Sequence, residues 1–141
     1  MRRCRLAIEL RGFDDLRDDL INMAAALEQG PGVTRALQAG AVPIEEQMLH
    51  NASTDPKIIS GDLHDSIRTG GVKKKREGGK RITIGVHHSD RGAYYANPVE
   101  FGHGGPAPAP AHPFVRPAFD VKAPEAFEEM KRVLRDEISN M

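Results

Sequence analysis

Tryptophan is absent from this 141-residue chain, cysteine occurs once, and two Tyr and five Phe are its whole aromatic supply. A core must therefore be built from aliphatic side chains, Met and a few rings. It will be modest, a situation in which oligomerisation commonly supplies stability. The lone Cys4 can form no internal disulfide and no thiolate zinc cluster, so the chain suits a reducing compartment. Net charge is lacking too: twenty basic residues balance twenty acidic ones. That argues against a protein coating nucleic acid with its whole surface and leaves only local charge to act. No apolar run approaches the roughly 20 residues that span a bilayer, and the opening Met-Arg-Arg-Cys-Arg leads into no signal-like segment, so neither membrane association nor secretion by that route is expected. The length fits a single domain over residues 1–141.

What the chain does contain is pattern. Cys4, Leu6, Ile8 and Leu10 alternate with polar residues or Ala7, the period of a strand with one buried face. From Phe13 the period lengthens: Phe13, Leu16, Leu20, Met23 and Leu27 predict a helix over residues 13–28, with Asp14 and Asp15 suited to the positive end of its dipole. Gly30-Pro31-Gly32 separates it from a second helix striped by Val33, Leu37, Ala41, Ile44 and Met48. Asn51 to Ile59 reads as a surface loop, after which Ser60 can cap a short helix bearing Leu63 and Ile67. Val72 and then Ile82, Ile84 and Val86 predict a β-hairpin turning at Glu77-Gly78-Gly79. A proline- and alanine-rich strap over residues 104–113 should be extended and poor at pairing. Phe127, Met130, Leu134 and Ile138 stripe a last helix, which starts near Pro124 or, if longer, near Phe114. These elements predict an α+β fold: a small antiparallel sheet, formed by the amino-terminal strand and the hairpin, packed with two amino-terminal helices, a short middle helix and a carboxyl-terminal one.

Two stretches are more specific. Tyr94-Tyr95-Ala96-Asn97-Pro98-Val99-Glu100-Phe101-Gly102 is followed by His112-Pro113-Phe114-Val115-Arg116-Pro117-Ala118-Phe119. Together they resemble the head-tail joining proteins of lambda-like tailed bacteriophages, also called neck, tail-completion or minor tail-component proteins. Those chains carry a Tyr-Ala step into a Val-Glu-Phe-Gly turn, a variable loop, and Pro-Phe-aliphatic-Arg-Pro-Ala at the start of the last helix. Ile59-Ser60-Gly61-Asp62-Leu63-His64-Asp65-Ser66-Ile67 is similar to the family's Thr-Gly-x-Leu-x-x-Ser-Ile, with Ser60 in place of threonine. The resemblance implies a structural virion protein without catalytic activity or cofactor. It also implies a homo-oligomeric ring of six or twelve copies around the DNA channel, touching neighbouring neck and tail proteins.

Within those motifs, Glu100 and Arg116 are charges set among apolar or conformationally special residues. Because a charge near a core needs a partner, they are expected to pair within or between subunits and tie the last helix to the Val99–Phe101 turn. Phe101 and Phe114 are expected in the core. At least one of Tyr94 and Tyr95 should face another subunit, and Pro117 belongs to the same contact motif. Lys73, Lys74, Lys75 and Arg76 make the hairpin strongly basic, suited to sequence-independent contact with DNA in a channel or, more plainly, to keeping a strand edge soluble.

Two rival classes remain open on the residues alone. His87, His88, His103 and His112, with Asp90 and Glu100, raise a metal-dependent hydrolase. However, adjacent histidines on a strand point to opposite faces, and no metal-binding spacing is present. A small DNA-binding regulator acting through the basic hairpin would be the other, with neutral net charge and no helix-turn-helix pattern against it. The Gly102-His103-Gly104-Gly105 cluster lacks the residues of a phosphate-binding loop.

Overall fold

The structure, a computed structural model, describes residues 13–54, 61–87 and 92–141. The elements run α1 (Phe13–Gln29), α2 (Pro31–Thr54), α3 (Gly61–Ser66), β1 (Ile67–Thr69), β2 (Lys73–Lys74), β3 (Lys80–Arg81), β4 (Ile84–Val86), α4 (Gly92–Phe101) and α5 (Val115–Ser139). The fold is α+β, as the patterning predicts. The strand expected over residues 3–10 and the cap expected at Ser60 lie outside the described residues.

An antiparallel pair, α2 against α5, forms the spine. Helix α2 begins at Pro31, whose fixed φ and missing N–H suit a first helical position. It presents Gly32, Ala36, Gly40, Ile44, Met48 and Ala52, spaced every four residues, as a buried row. The expected stripe shares Ala41, Ile44 and Met48 with the buried set, but Val33 and Leu37 stand only half-buried. Small residues displace them because the helices touch closely at this end: a Cβ at Gly40 would lie 2.6 Å from Met130 Cγ and 3.1 Å from the Ala126 carbonyl oxygen. Arg35 Nη2, 2.9 Å from the Glu137 carboxylate, ties the same ends together.

Beyond the small residues the interface widens into the core, where Ile44, Met48, Leu63, Ile67, Phe114 and Ala118 are buried together. Two local expectations are corrected here. Asn51 to Thr54 are the last turn of α2 and not a loop, because the four-residue row continues through the buried Ala52. Ile67 opens β1 and does not continue α3, although it is buried beside Leu63 as its spacing suggests.

The hairpin is made of two ladders on one antiparallel ribbon. Ile67–Thr69 pair with Ile84–Val86, and Lys73–Lys74 pair with Lys80–Arg81. Between them residues 70–72 face residues 82–83, an extra residue on one arm that locally breaks the ladder like a bulge. The turn falls at Glu77-Gly78-Gly79 as expected, with both glycines at positive φ. Lys80 Nζ donates to the Gly30 carbonyl at 2.6 Å and to Thr34 Oγ1 at 3.0 Å, which fastens the hairpin to the α1–α2 junction. On the other arm Thr69 donates to the Glu45 carboxylate of α2.

Candidate functional site

The two specific motifs converge on the amino-terminal end of α5. A helix leaves its first N–H groups without intrahelical acceptors, and a buried end needs a partner for each. Phe114 occupies the cap position but supplies no side-chain acceptor of its own. Glu100, the penultimate residue of α4, does so from fourteen residues upstream. Its Oε2 accepts from the amides of Phe114 at 2.7 Å and Val115 at 3.0 Å, and its Oε1 accepts from that of Arg116 at 3.1 Å. The next residue, Pro117, has no N–H to satisfy. One carboxylate and one proline therefore account for the whole first turn, and the negative charge sits at the positive end of the helix dipole.

The surroundings hold this clamp from three sides. Helix α4 stops at Gly102, whose φ of 73° is a left-handed termination that glycine adopts without strain. A Cβ there would also lie 2.8 Å from the Ala109 carbonyl oxygen and 2.9 Å from the Ala111 nitrogen, so the strap crosses against glycine alone. His112 N donates to the Val99 carbonyl at 2.7 Å. From α2, Asn51 Nδ2 donates to the Phe114 carbonyl at 3.2 Å and is itself held by Gln47 at 2.9 Å. Phe114 is 1% exposed, so its ring anchors the junction in the core.

Several sequence expectations change on this geometry. Glu100 and Arg116 do meet and do tie the last helix to α4, but within the chain the contact is carboxylate to backbone amide. The Arg116 side chain is exposed, and no salt bridge joins the pair among the described residues. The reason is that the three clustered backbone N–H groups need an acceptor, which the carboxylate supplies, whereas the Arg116 guanidinium can donate to water from its exposed position. Tyr94 to Phe101 lie on helix α4, which was not among the expected elements, and of the expected Val-Glu-Phe-Gly turn only Gly102 turns. Phe101, expected in the core, is 76% exposed, because Glu100 and the core-packed Val99 and Ala96 set the inward face of α4. Tyr94 and Tyr95 are also exposed and stack edge to face at 5.5 Å between ring centroids. Helix α5 takes the longer of the two expected spans. The strap, expected to pair poorly, makes one antiparallel bridge between His103 and Ala109, with bonds of 3.0 and 2.9 Å.

Sequence reasoning overlooked Asn51 and Lys80, both of which join elements. Asn51 stands four residues after Gln47, inside a stretch whose polar residues suggest a loop, and Lys80 is one of several cations near the hairpin turn with no sequence mark to set it apart. Lys73, Lys74, Lys75 and Arg76 are indeed exposed, and the last three rim a shallow, largely basic depression with Glu77 and Arg81.

A cleft of about 310 Å³ lies against the clamp, lined by Val86, Ala96, Asn97, Phe101, Phe114 and Val115 as well as Glu100. Its one ionisable group is the carboxylate already engaged by three amides. That removes Glu100 from the ligand set a hydrolase would need. His88 and Asp90 lie outside the described residues, and no group of three His, Cys, Asp or Glu that could hold a metal occurs among those described. No helix among the described residues is long and apolar enough to cross a membrane.

The polar groups at this junction join helix ends, which is a structural use of them. The family agrees: a family model described as "Bacteriophage HK97-gp10, putative tail-component" matches residues 15–102, more than half of the chain, and the chain belongs to that family. The matched span includes the Ile59–Ile67 and Tyr94–Gly102 motifs; Glu100 joins it to the His112–Phe119 stretch beyond. No curated protein and no solved structure matches the chain. The family is one of structural tail components of tailed phages, and it suggests a place in the virion.

Proposed function

We propose that this chain is a non-enzymatic subunit of the phage neck, which closes as a homo-oligomeric ring of six or twelve copies between the head connector and the tail. The single observation that carries this reading is the use made of the most specific residues. Glu100, Gly102 and Pro117 fix the angle between α4 and α5, while Tyr94, Tyr95 and Phe101 on the same short helix are left facing outward. Exposed aromatic residues gathered beside a rigid joint suit a protein surface better than solvent. The subunit would assemble in the host cytoplasm and remain in the particle against neighbouring neck and tail proteins.

Electron microscopy of particles produced without this chain tests the proposal. Filled heads and separate tails are expected, with joined particles restored when the chain is supplied in trans. Joined, infectious particles at normal yield in its absence would contradict it.

A further inference from the structure

The molecule carries two oppositely charged poles, each only partly paired among the described residues. On α1, Asp14, Asp15, Asp18 and Asp19 are all exposed. Arg17 engages Asp14 and Asp18, which leaves Asp15 and Asp19, one turn apart on the same flank, without a cation among the described residues. The other pole is the basic depression of the hairpin tip, formed by Lys74, Lys75, Arg76 and Arg81 around the single Glu77. The carboxyl-terminal end of α1 is the end fixed to the hairpin, through Lys80 and the Gly30 carbonyl. At 1.5 Å per residue, Asp15 is therefore about 20 Å along the helix from that junction. The screening length at physiological salt is about 8 Å, so the poles do not neutralise each other internally.

The same helix has an uncovered apolar stripe. Leu16, Leu20 and Ile21 are 53%, 56% and 58% exposed, although amphipathic helices in folded proteins usually bury such a face. Elsewhere on the molecule, Leu37, Ile44, Ile82, Ile84, Phe119 and Met130 line an open apolar groove between α2, α5 and the hairpin. The groove reaches Ile82 and the depression reaches Arg81, so the two surfaces adjoin at neighbouring residues of one arm of the hairpin.

We propose that α1 of one copy docks on the hairpin side of the next, with Asp15 and Asp19 facing the basic depression and the Leu16, Leu20 and Ile21 stripe covering the apolar groove. The occupant of the hairpin is then a second copy of this chain and not DNA. The two surfaces are different, so the contact is head-to-tail, the kind that generates a ring when its rotation closes. This inference rests on the ring reading above and gives it an interface.

Charge reversal offers a test in which two defects should cure each other. Asp15→Lys with Asp19→Lys makes both poles positive, and Lys74→Glu with Lys75→Glu makes both negative. Light-scattering mass in low salt should show the unmodified chain above 15.4 kDa. Each variant alone should associate on the order of tenfold more weakly or worse, since like charges oppose at every contact. Circular dichroism should show both variants folded, because none of the four side chains makes a hydrogen bond or ion pair among the described residues. An equimolar mixture should recover assembly, because every mixed contact is again opposite in sign.

Three results would overturn the proposal: no association of the unmodified chain, association unaffected by either reversal, or a mixture that stays dissociated. If Lys74→Glu with Lys75→Glu abolishes retention of mixed-sequence duplex DNA while self-association is untouched, the hairpin is a nucleic-acid surface and the proposal fails. None of these outcomes changes whether particles need the chain to join, so this interface can fail while the neck assignment stands.

Discussion

The clamp at the start of α5 and the free helix α1 use similar residues to opposite ends. At the clamp, a Glu accepts three amide N–H groups, a Phe is buried and a Gly is closed over by backbone. On α1, four Asp face solvent and Leu16, Leu20 and Ile21 lie uncovered. Side chains of the first kind are consumed by the fold. Those of the second contribute little to the isolated subunit and become informative only when a partner is considered. Mutation should separate the two regions by where the loss appears, in stability for one and in assembly for the other.

The largest expected effect is at Phe114. Truncation to Ala empties a fully enclosed site between α2, α4 and α5 and should cost about 3–5 kcal/mol in chemical denaturation, enough to threaten folding of a small domain. Glu100→Ala comes next: it strips the acceptor from three clustered amides at a helix end and should cost about 2–3 kcal/mol by the same assay. Gly102→Ala should lower the melting temperature by an amount equivalent to about 1–3 kcal/mol, because the left-handed backbone and the crossing strap both oppose a Cβ. The smallest effect is expected on α1, where Leu20→Ser should change subunit stability by no more than about 0.5 kcal/mol while weakening self-association. A large loss of stability at Leu20, or a negligible one at Phe114, would erase the distinction between the regions.

How much of this could be read in the sequence depended on how local the cause was. The first helix, the turn of the hairpin and the last helix follow from periodicity and turn chemistry within a few residues and stand where expected; the hairpin's arms differ, since Val72 and Ile82 fall between its two ladders and Ile67 opens the first arm. The row of Gly32, Ala36 and Gly40 was not legible, because small residues carry no hydrophobic signal and only the close approach of α5 explains them. Asn51 to Thr54 were misread for a related reason: polar residues suggest a turn, yet the buried Ala52 keeps the helix going.

At the site, the two motifs contain the segments that Glu100 joins. The atoms that make the tie were hidden, since sequence pairs side chains by charge and cannot show that a run of backbone donors competes for the same carboxylate. Phe101 was lost to the same limit, because its exposure follows from the face that Glu100 must take.

The central claim is that the Glu100 carboxylate holds the first turn of α5. Amide hydrogen exchange at Phe114, Val115 and Arg116 addresses it directly, compared between the unmodified chain and Glu100→Gln, which keeps the shape but removes the charge. Slow exchange at these three amides, accelerated on the order of tenfold or more by the substitution while the middle of α5 is little changed, is the predicted result. Equal exchange in the two proteins at all three positions would mean that another group closes the helix, and the account built on Glu100 would be wrong.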